Sequence, residues 1–572
     1  MTTAALPGAR RIAPLIRTGD VRVARGLAWA CVALLLVFIG MPLAAILGQA
    51  FSADARHAGG AASLLALLAE PRLQAATWNS IWLAAAATAI AVPAAFVVAL
   101  AATRSRLPGR PLLKALALAP LLAPSLMPAI ALVYLFGNQG LLKVWLGGVS
   151  IYGPAGIVAG EVFYALPHAL LIVAAALGTT DARLYEAARA LGAGPWRQFL
   201  TVTLPQARYG LVSAGLVVFT LVVTDFGVPK VIGGGTQVLA LEAYKQVIGQ
   251  QDFHRGAAIG LLLLLPALLS FQVERRVSRR GGGGVGGRSV AFVPPRNPGR
   301  DLGLGVAALA VCGFVAAVLS TAVAASVITL WPYRMAPTLA HYQFDRFDGG
   351  GWSAFGHSLA LAGSTAVGGT ALVFVTAYLV EKPPVSRAAA GVVRGLALAP
   401  MAVPGMVLGL GYVFFFNAPA NPLHGLYGTL AILVASTIAH FYTTAHLTVT
   451  TALRQIADEI EAVGQSLRQP WWTTCRRVTL PIALPVLLDV ARYYFVSAMT
   501  TVSCVIFLYT PDTALAAVAV LNLDDAGDTA PAAAMCTLIV ATNLGLTLLL
   551  ALAGARLMRR TQAWRHPTPA AA

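Results

Sequence analysis

Charge is what this sequence has least of. Only 11% of its 572 residues are Asp, Glu, Lys or Arg and 58% are hydrophobic, against about 25% charged in soluble domains. A water-soluble globular protein is excluded. Acids are scarcer still, 22 against 40 Lys plus Arg, for a formal net charge of +18. Such an excess in a soluble domain would point to nucleic acid, but here the bases are too thinly spread, so no nucleic-acid partner is expected. The five cysteines (Cys31, Cys312, Cys475, Cys504 and Cys536) lie far apart, with no pair at the spacing of a metal or redox site. They read as small apolar fillers. No cluster of His, Asp and Glu and no nucleophile–base pair stands at a span edge, so no enzyme chemistry, metal or resident cofactor is expected.

Long apolar runs are what the sequence has instead. Leu73 to Thr103, Ala115 to Leu142 and Leu302 to Tyr333 contain no charged residue, and each exceeds the roughly 20 residues that cross a bilayer as a helix. Twelve such segments are expected, near residues 26–51, 77–103, 115–137, 153–177, 209–229, 256–273, 303–331, 355–380, 395–415, 427–451, 485–510 and 529–555. The fold class is therefore an all-α integral membrane protein of about twelve spans. The first run follows Arg10, Arg11, Arg17, Arg22 and Arg25 and is longer than a signal-peptide core, so it is expected to be a retained span.

With the N-terminus placed in the cytoplasm, 31 of the 40 Lys and Arg fall on the cytoplasmic side and 8 on the other. Basic residues resist translocation, so both termini are expected inside. The Gly/Arg/Pro-rich stretch 274–302 divides a first half, 1–273, from a second, 303–572, and reads as a solvated cytoplasmic linker. Within it Gly282, Gly287, Arg288 and Ser289 fall one residue short of a phosphate-binding loop, with Arg in place of Lys and polar flanks instead of a strand and a helix. The chain is expected to carry no ATPase of its own.

The halves repeat each other. LALAP recurs at 116–120 and 396–400, each followed by a second proline (Pro124, Pro404), and VTLP recurs at 202–205 and 478–481, offsets of 280 and 276. Six spans per half make the repeats parallel, related by an axis along the membrane normal. The prolines in the third and ninth spans remove backbone donors and kink the helices, either to line a gated pathway or simply to pack.

The loop after the fourth span reads YEAARALGAGPWRQFLTVTLP, with Glu186, Ala187, Ala188, Gly192, Leu204 and Pro205. This resembles the EAA loop of ABC-importer permeases. The second loop, IEAVGQSLRQPWWTTCRRVTLP, keeps Glu461, Ala462, Leu480 and Pro481 but has Arg468 where the first has Gly192 and one extra residue before Leu467. The resemblance implies a type I ABC importer permease fold, with each loop docking one of two copies of a separate ATP-binding cassette subunit. Leu-Pro is expected to start the following helix, since proline suits a first turn.

The segments VVTDFGVPKVIGGGTQVLALEAYKQVIGQQDFHRGAAIG and LPVLLDVARYYFVSAMTTVSCVIFLYTPDTALAAVAVLNLDDAGD resemble the fused permeases of 2-aminoethylphosphonate importers, within the ferric-iron, thiamine and polyamine permease group. That likeness implies a bacterial inner-membrane protein fed by a periplasmic or extracellular solute-binding protein at the outer loops 138–151 and 417–426. A ferric-iron substrate is the alternative. An ion-coupled secondary transporter is the rival from another class, but only three acids lie within the twelve spans.

Charge inside a span is costly and asks for a reason. Glu161 lies seven residues before His168 on one helical face, and Thr224 and Asp225 align by the 276 offset with Thr500 and Thr501. These residues either line a path, with Asp225 attracting an ammonium and the threonines bonding phosphonate oxygens, or are structural, with Asp225 capping a break near Gly227 and Pro229 and Glu161 pairing with a neighbouring helix. Asp489 and Arg492, three apart, are expected to pair.

Overall fold

The computed structural model describes residues 18–52, 60, 66–178, 180–281, 290, 292–347, 349–383 and 385–561. Arg10, Arg11, Arg17 and the Gly282–Ser289 near miss lie outside the described residues.

In the first half α1 is Asp20–Phe51 and α2 Pro71–Arg104; α3 (Arg110–Leu122) and α4 (Leu126–Phe136) form a bent pair; α5 is Pro154–Gly178, and α6 is the short helix Ala182–Ala190. Then come α7 (Pro195–Thr224), α8 (Gly227–Ile232), α9 (Leu239–Tyr244) and α10 (Phe253–Gly281). The second half follows the same order with α11 (Pro298–Val327), α12 (Gly351–Glu381), the bent pair α13 (Arg387–Ala402) and α14 (Gly405–Phe416), α15 (Leu430–Arg454) and the short α16 (Glu459–Ser466). It ends with α17 (Trp471–Thr500), α18 (Ala516–Asp525) and α19 (Thr529–Thr561). The one departure from an all-helical chain among the described residues is a hairpin after α11, in which β1 (Ile328–Leu330) pairs antiparallel with β2 (Arg334–Pro337).

The prolines of the third and ninth spans do more than kink them: α3 and α4 meet at 105° and α13 and α14 at 117°. Ala123 before Pro124 and Val403 before Pro404 are extended (φ −103°, ψ 143° and φ −117°, ψ 120°), because a following proline disfavours the helical conformation. Each bent pair still crosses the bundle. Arg104 at the end of α2 donates to the carbonyl of Leu177 at the end of α5 (2.8 Å), and Lys382 just past α12 donates to Ile456 just past α15 (2.8 Å). Those helix ends therefore lie together, and the bent pair between them must carry the chain across. Among the described residues, ten unbroken helices and two bent pairs make twelve crossings.

The fifth and eleventh spans end sooner than expected. α7 stops at Thr224 and α17 at Thr500, with nearly identical breaks at Asp225 (φ −77°, ψ 137°) and Thr501 (φ −73°, ψ 136°). Leu-Pro does not start these helices either. α7 opens at Pro195 and α17 at Trp471, and each runs through one π turn, Phe199–Thr203 and Cys475–Thr479, directly before Leu204-Pro205 and Leu480-Pro481. The wider turn accommodates a proline that has no amide to donate.

The repeat extends to single hydrogen bonds. The Ser80 hydroxyl accepts from the Leu239 amide (2.9 Å) and Ser358 from the Ala516 amide (2.7 Å). Within each half the second, fourth and fifth spans pack together, and the first helices reach across in exchange: α1 packs on α12, α13 and α14 as well as on α10 of its own half, and α11 packs on α2, α3 and α4 as well as on α19. Tyr412 donates to the Phe38 carbonyl (2.6 Å), and Trp331, just past α11, donates to the Tyr134 carbonyl (2.9 Å). α5 is the most buried of the long helices and α19 the least. Exposed Leu548, Leu549 and Leu552 on α19 are ordinary where lipid replaces water.

The linker is not free along its described length. The Val290 amide donates to the Asp181 carboxylate (3.4 Å) and its carbonyl accepts from the Ala182 amide (3.0 Å), Phe292 packs on Tyr185 (centroids 4.2 Å apart), and the Pro294 carbonyl accepts from Arg106 (2.7 Å). Val290 and Phe292 find partners at α6, which the Gly/Arg composition around them obscured.

Candidate functional site

Two assemblies stand out: the loops that hold α6 and α16 at one end, and a polar cluster at the breaks in mid-bundle.

α6 starts where the Asp181 side chain accepts from the Arg183 amide (3.0 Å), a cap that satisfies an otherwise orphan donor. It ends at Gly192, whose φ of +74° is left-handed. Arg468, at the 276 offset, takes the same turn after α16 with φ +54°. A non-glycine residue there is strained by about 1 kcal/mol. Arg468→Gly is therefore expected to steady the second loop by about that amount, read as slower amide exchange across residues 459–468; unchanged exchange would count against it.

Beneath each loop one bond ties the short helix to the next. The Tyr185 and Thr203 hydroxyls lie 2.9 Å apart, and Thr479 donates to Glu461 Oε1 (3.2 Å). Since Thr203 and Thr479 correspond at 276, Glu461 stands in register with Tyr185, and Ala462 with Glu186. Glu461 is thus not the counterpart of Glu186, and the extra residue before Leu467 disappears. Burial pushes the Glu461 carboxyl above its usual range, while the Thr479 bond and nearby Lys382 pull the other way. Glu186 and Ala187 are exposed and Ala188 half-buried on α6; Ala462 is exposed on α16, whose outward acids are Asp458 and Glu459. Pro205 is exposed, and Leu204, Leu480 and Pro481 are half-buried. Exposed Leu191 and Trp196 in the first loop and Val463 and Leu467 in the second leave apolar surface at the same end.

Arg104 holds α6 from below. It is 7% exposed, and its guanidinium lies 5.2 Å from the Tyr185 ring and 4.5 Å from the Phe292 ring while it bonds Leu177. Lys382 does the same work in the second half, bonding Ile456 and Asp458 (both 2.8 Å). Sequence reading missed both residues, although each stands at the corresponding end of the second span of its half.

At mid-bundle Asp225 caps the break: its Oδ2 accepts from the Val228 amide (2.9 Å), and its carboxyl lies beside the Ser125 hydroxyl and the Gly227 amide. Glu161 is fully buried, neither of its oxygens meets a donor, and it faces the Asp225 carboxyl. Among the described residues no cation is paired with either carboxyl. The capping role of Asp225 is present, whereas Glu161 meets no hydrogen-bond or ion-pair partner on a neighbouring helix. Thr224 and Thr500 spend their hydroxyls on the carbonyls of Thr220 and Val496 (both 2.9 Å), and Thr501 contacts Cys504 Sγ (3.2 Å); each would have to give up such a contact to donate to an oxyanion. His168 packs on Tyr164 (5.8 Å) as His446 does on Tyr442 (5.5 Å). Tyr164 adjoins the acids, and Tyr493 of the second half approaches it. The signal for Tyr164 was available: Phe-Tyr recurs at 163–164 and 441–442.

Ser125 and Gly227 touch so closely that a Cβ on Gly227 would lie 2.4 Å from the Ser125 hydroxyl. In the second half the pair is reversed: a Cβ on Gly405, the counterpart of Ser125, would lie 2.4 Å from the hydroxyl of Ser503, the counterpart of Gly227. Asp489 and Arg492 pair as expected (3.2 Å). Asp489 borders an open cleft between α15 and α17 lined also by Thr448, Thr451 and Gln455. The free cysteines are buried except half-buried Cys475, and among the described residues no group of three or more His, Cys, Asp or Glu is placed to hold a metal.

Comparison with known proteins adds the following. The chain is 26% identical over 420 residues to the putative ferric transport system permease protein FbpB 1 of Haemophilus influenzae, covering 70% of this chain and 65% of that one. It is 24% identical over 455 residues to the ferric transport system permease protein FbpB of Actinobacillus pleuropneumoniae, covering 76% and 64%. The chain thus spans about two thirds or slightly less of the length of these ferric relatives. The thiamine transport system permease protein ThiP of Brucella abortus is 27% identical, with 66% and 70% covered. A solved bacterial alginate ABC transporter superposes with a TM-score of 0.40 at 15% identity, covering 47% of this chain and 98% of that one. The family described as binding-protein-dependent transport system inner membrane component matches residues 91–281 and 384–559, one copy in each half and more than half the chain together, and the chain belongs to that family.

Proposed function

We propose that this chain is the membrane subunit of a binding-protein-dependent ABC importer of the bacterial inner membrane, with both termini in the cytoplasm. Two copies of a separate ATP-binding cassette subunit dock on the α6 and α16 loops. A periplasmic solute-binding protein delivers a small polar solute to the opposite end, and ATP-driven closure rocks the halves between outward and inward access. The observation that carries this reading is the pair of loops: each is a short helix, a left-handed turn and a π turn leading into a broken span, and each is tied by a buried cation to the ends of the second and fourth spans.

The proposed substrate is 2-aminoethylphosphonate. Support for it is the resemblance of the broken-span segments, together with the Glu161–Asp225 pair, to which an ammonium group supplies the missing cation. The second reading is ferric iron, favoured by the two ferric relatives and by the same acidic pair; thiamine, from the ThiP likeness, is a cation as well. Binding of 2-aminoethylphosphonate and of ferric iron to the cognate binding protein decides between them. In vesicles holding the full importer, Asp225→Asn keeps the cap geometry but leaves Glu161 as the one carboxyl of the pair, so uptake at limiting substrate is expected to fall about tenfold, the effect of roughly 1.4 kcal/mol. Unchanged uptake would remove Asp225 from the path. Proton- or sodium-driven uptake by the purified chain without ATP would overturn the importer reading.

A further inference from the structure

At the end of the bundle away from α6 and α16, one ion pair joins the two halves. Lys230, on the short α8 that follows the Asp225 break, places its Nζ 2.8 Å from Asp525 Oδ1 at the end of α18. The lysine is held in place, lying 5.7 Å from the centroid of Tyr244, which is itself stacked on Phe226 (5.5 Å, 19°). A second bond crosses the same seam where the Tyr134 hydroxyl meets that of Thr529 (2.9 Å). Asp524 lies alongside the pair.

We propose that the Lys230–Asp525 pair is the closing contact of the outer mouth, a positioning pair that biases the transporter toward its outward-closed state. This rests on the importer reading and on the orientation given with it. Three features favour a gate over a structural brace. Contacts such as those of Ser80 and Ser358 or of Arg104 and Lys382 occur twice, whereas this one occurs once: by the offset of 276 that relates Asp225 to Thr501, Lys230 corresponds to Ile506, and by the offset of 277 that relates Leu239 to Ala516, Asp525 corresponds to Ile248. The side chains are 24% and 45% exposed, and so open a pair is weak enough to break in every cycle. Finally, α8 begins two residues after Asp225, so parting Lys230 from α18 moves the segment that caps the mid-bundle acids.

Loss of the pair shifts the balance toward the outward-open, ATPase-closed state. With the permease and its ATPase reconstituted in vesicles, Lys230→Met, and separately Asp524→Asn combined with Asp525→Asn, are expected to raise ATP hydrolysis without binding protein by about two- to fivefold, the shift that an exposed pair supports. Solute carried per ATP should fall. Lys230→Asp and Asp525→Lys should each do the same alone, and together should return hydrolysis toward the wild-type value, a rescue that a loss of packing would not give. Unaltered basal hydrolysis in the neutralised variants, or a double reversal no better than the singles, would overturn the gate while wild-type uptake remains normal. Absence of ATP-dependent uptake by the wild type with both partners present would overturn the importer reading and the gate with it.

Discussion

Arg104→Ala is expected to impair coupling severely, and Arg104→Lys to preserve most of it. The alanine leaves the Leu177 carbonyl without its donor, at about 1–3 kcal/mol for a buried group. It also empties the space between the Tyr185 and Phe292 rings, at about 0.5–2 kcal/mol more. That total falls on the short helix α6, which has few other ties to the bundle. ATP-dependent uptake in vesicles with the partner ATPase and binding protein is expected to drop more than tenfold, while the rest of the bundle stays folded by thermal unfolding in detergent. Lysine retains the charge and reaches a carbonyl, as Lys382 does at Ile456, but lacks the flat guanidinium that stacks on aromatic faces. Uptake by Arg104→Ala near that of the wild type would show that the helix is held by other means.

The second large effect is a reciprocal one. Gly227→Ser places a hydroxymethyl group against the Ser125 hydroxyl, where a Cβ alone already lies at 2.4 Å. Overpacking of this kind costs about 1–3 kcal/mol, and the chain is expected to unfold at lower temperature and lose transport. Adding Ser125→Gly should restore both, because Gly405 and Ser503 already use the reversed arrangement in the second half. One small polar group is accommodated where the bent pair meets the broken span, and either side can supply it. If the double variant is no more stable than Gly227→Ser alone, the contact is not the shared constraint.

Much of this architecture was legible in the residues, and the parts that were not have identifiable causes. Apolar length depends on composition alone, so the twelve crossings could be counted. The repeats LALAP and VTLP located equivalent elements because their prolines impose the same bends in both halves. The sharpness of those bends was not legible, since proline forbids a straight helix without saying where the chain goes next. Nor was the exchange of α1 and α11, because a lipid-facing helix is apolar whichever half it lies against. The path residues divided in the same way: Asp225 and Glu161 stood out as charges among apolar neighbours, whereas Tyr164 was marked only by the recurring Phe-Tyr pair and Tyr493 looks like any aromatic in a span until its surroundings are seen. Matching by letter misassigned Glu461, since the Thr479 bond, not the glutamate, marks the register.

The exchange of α1 and α11 bears on how the protein is made. A ribosome delivers the first half to the membrane with α2, α3 and α4 complete but without the helix that covers them, because α11 lies beyond the linker. Until residues 298–327 are inserted, that face lacks its partner helix α11. α1, in turn, waits for α12, α13 and α14. Synthesis order thus leaves both halves unfinished until late, and a chain stopped at the linker is an intermediate lacking one wall.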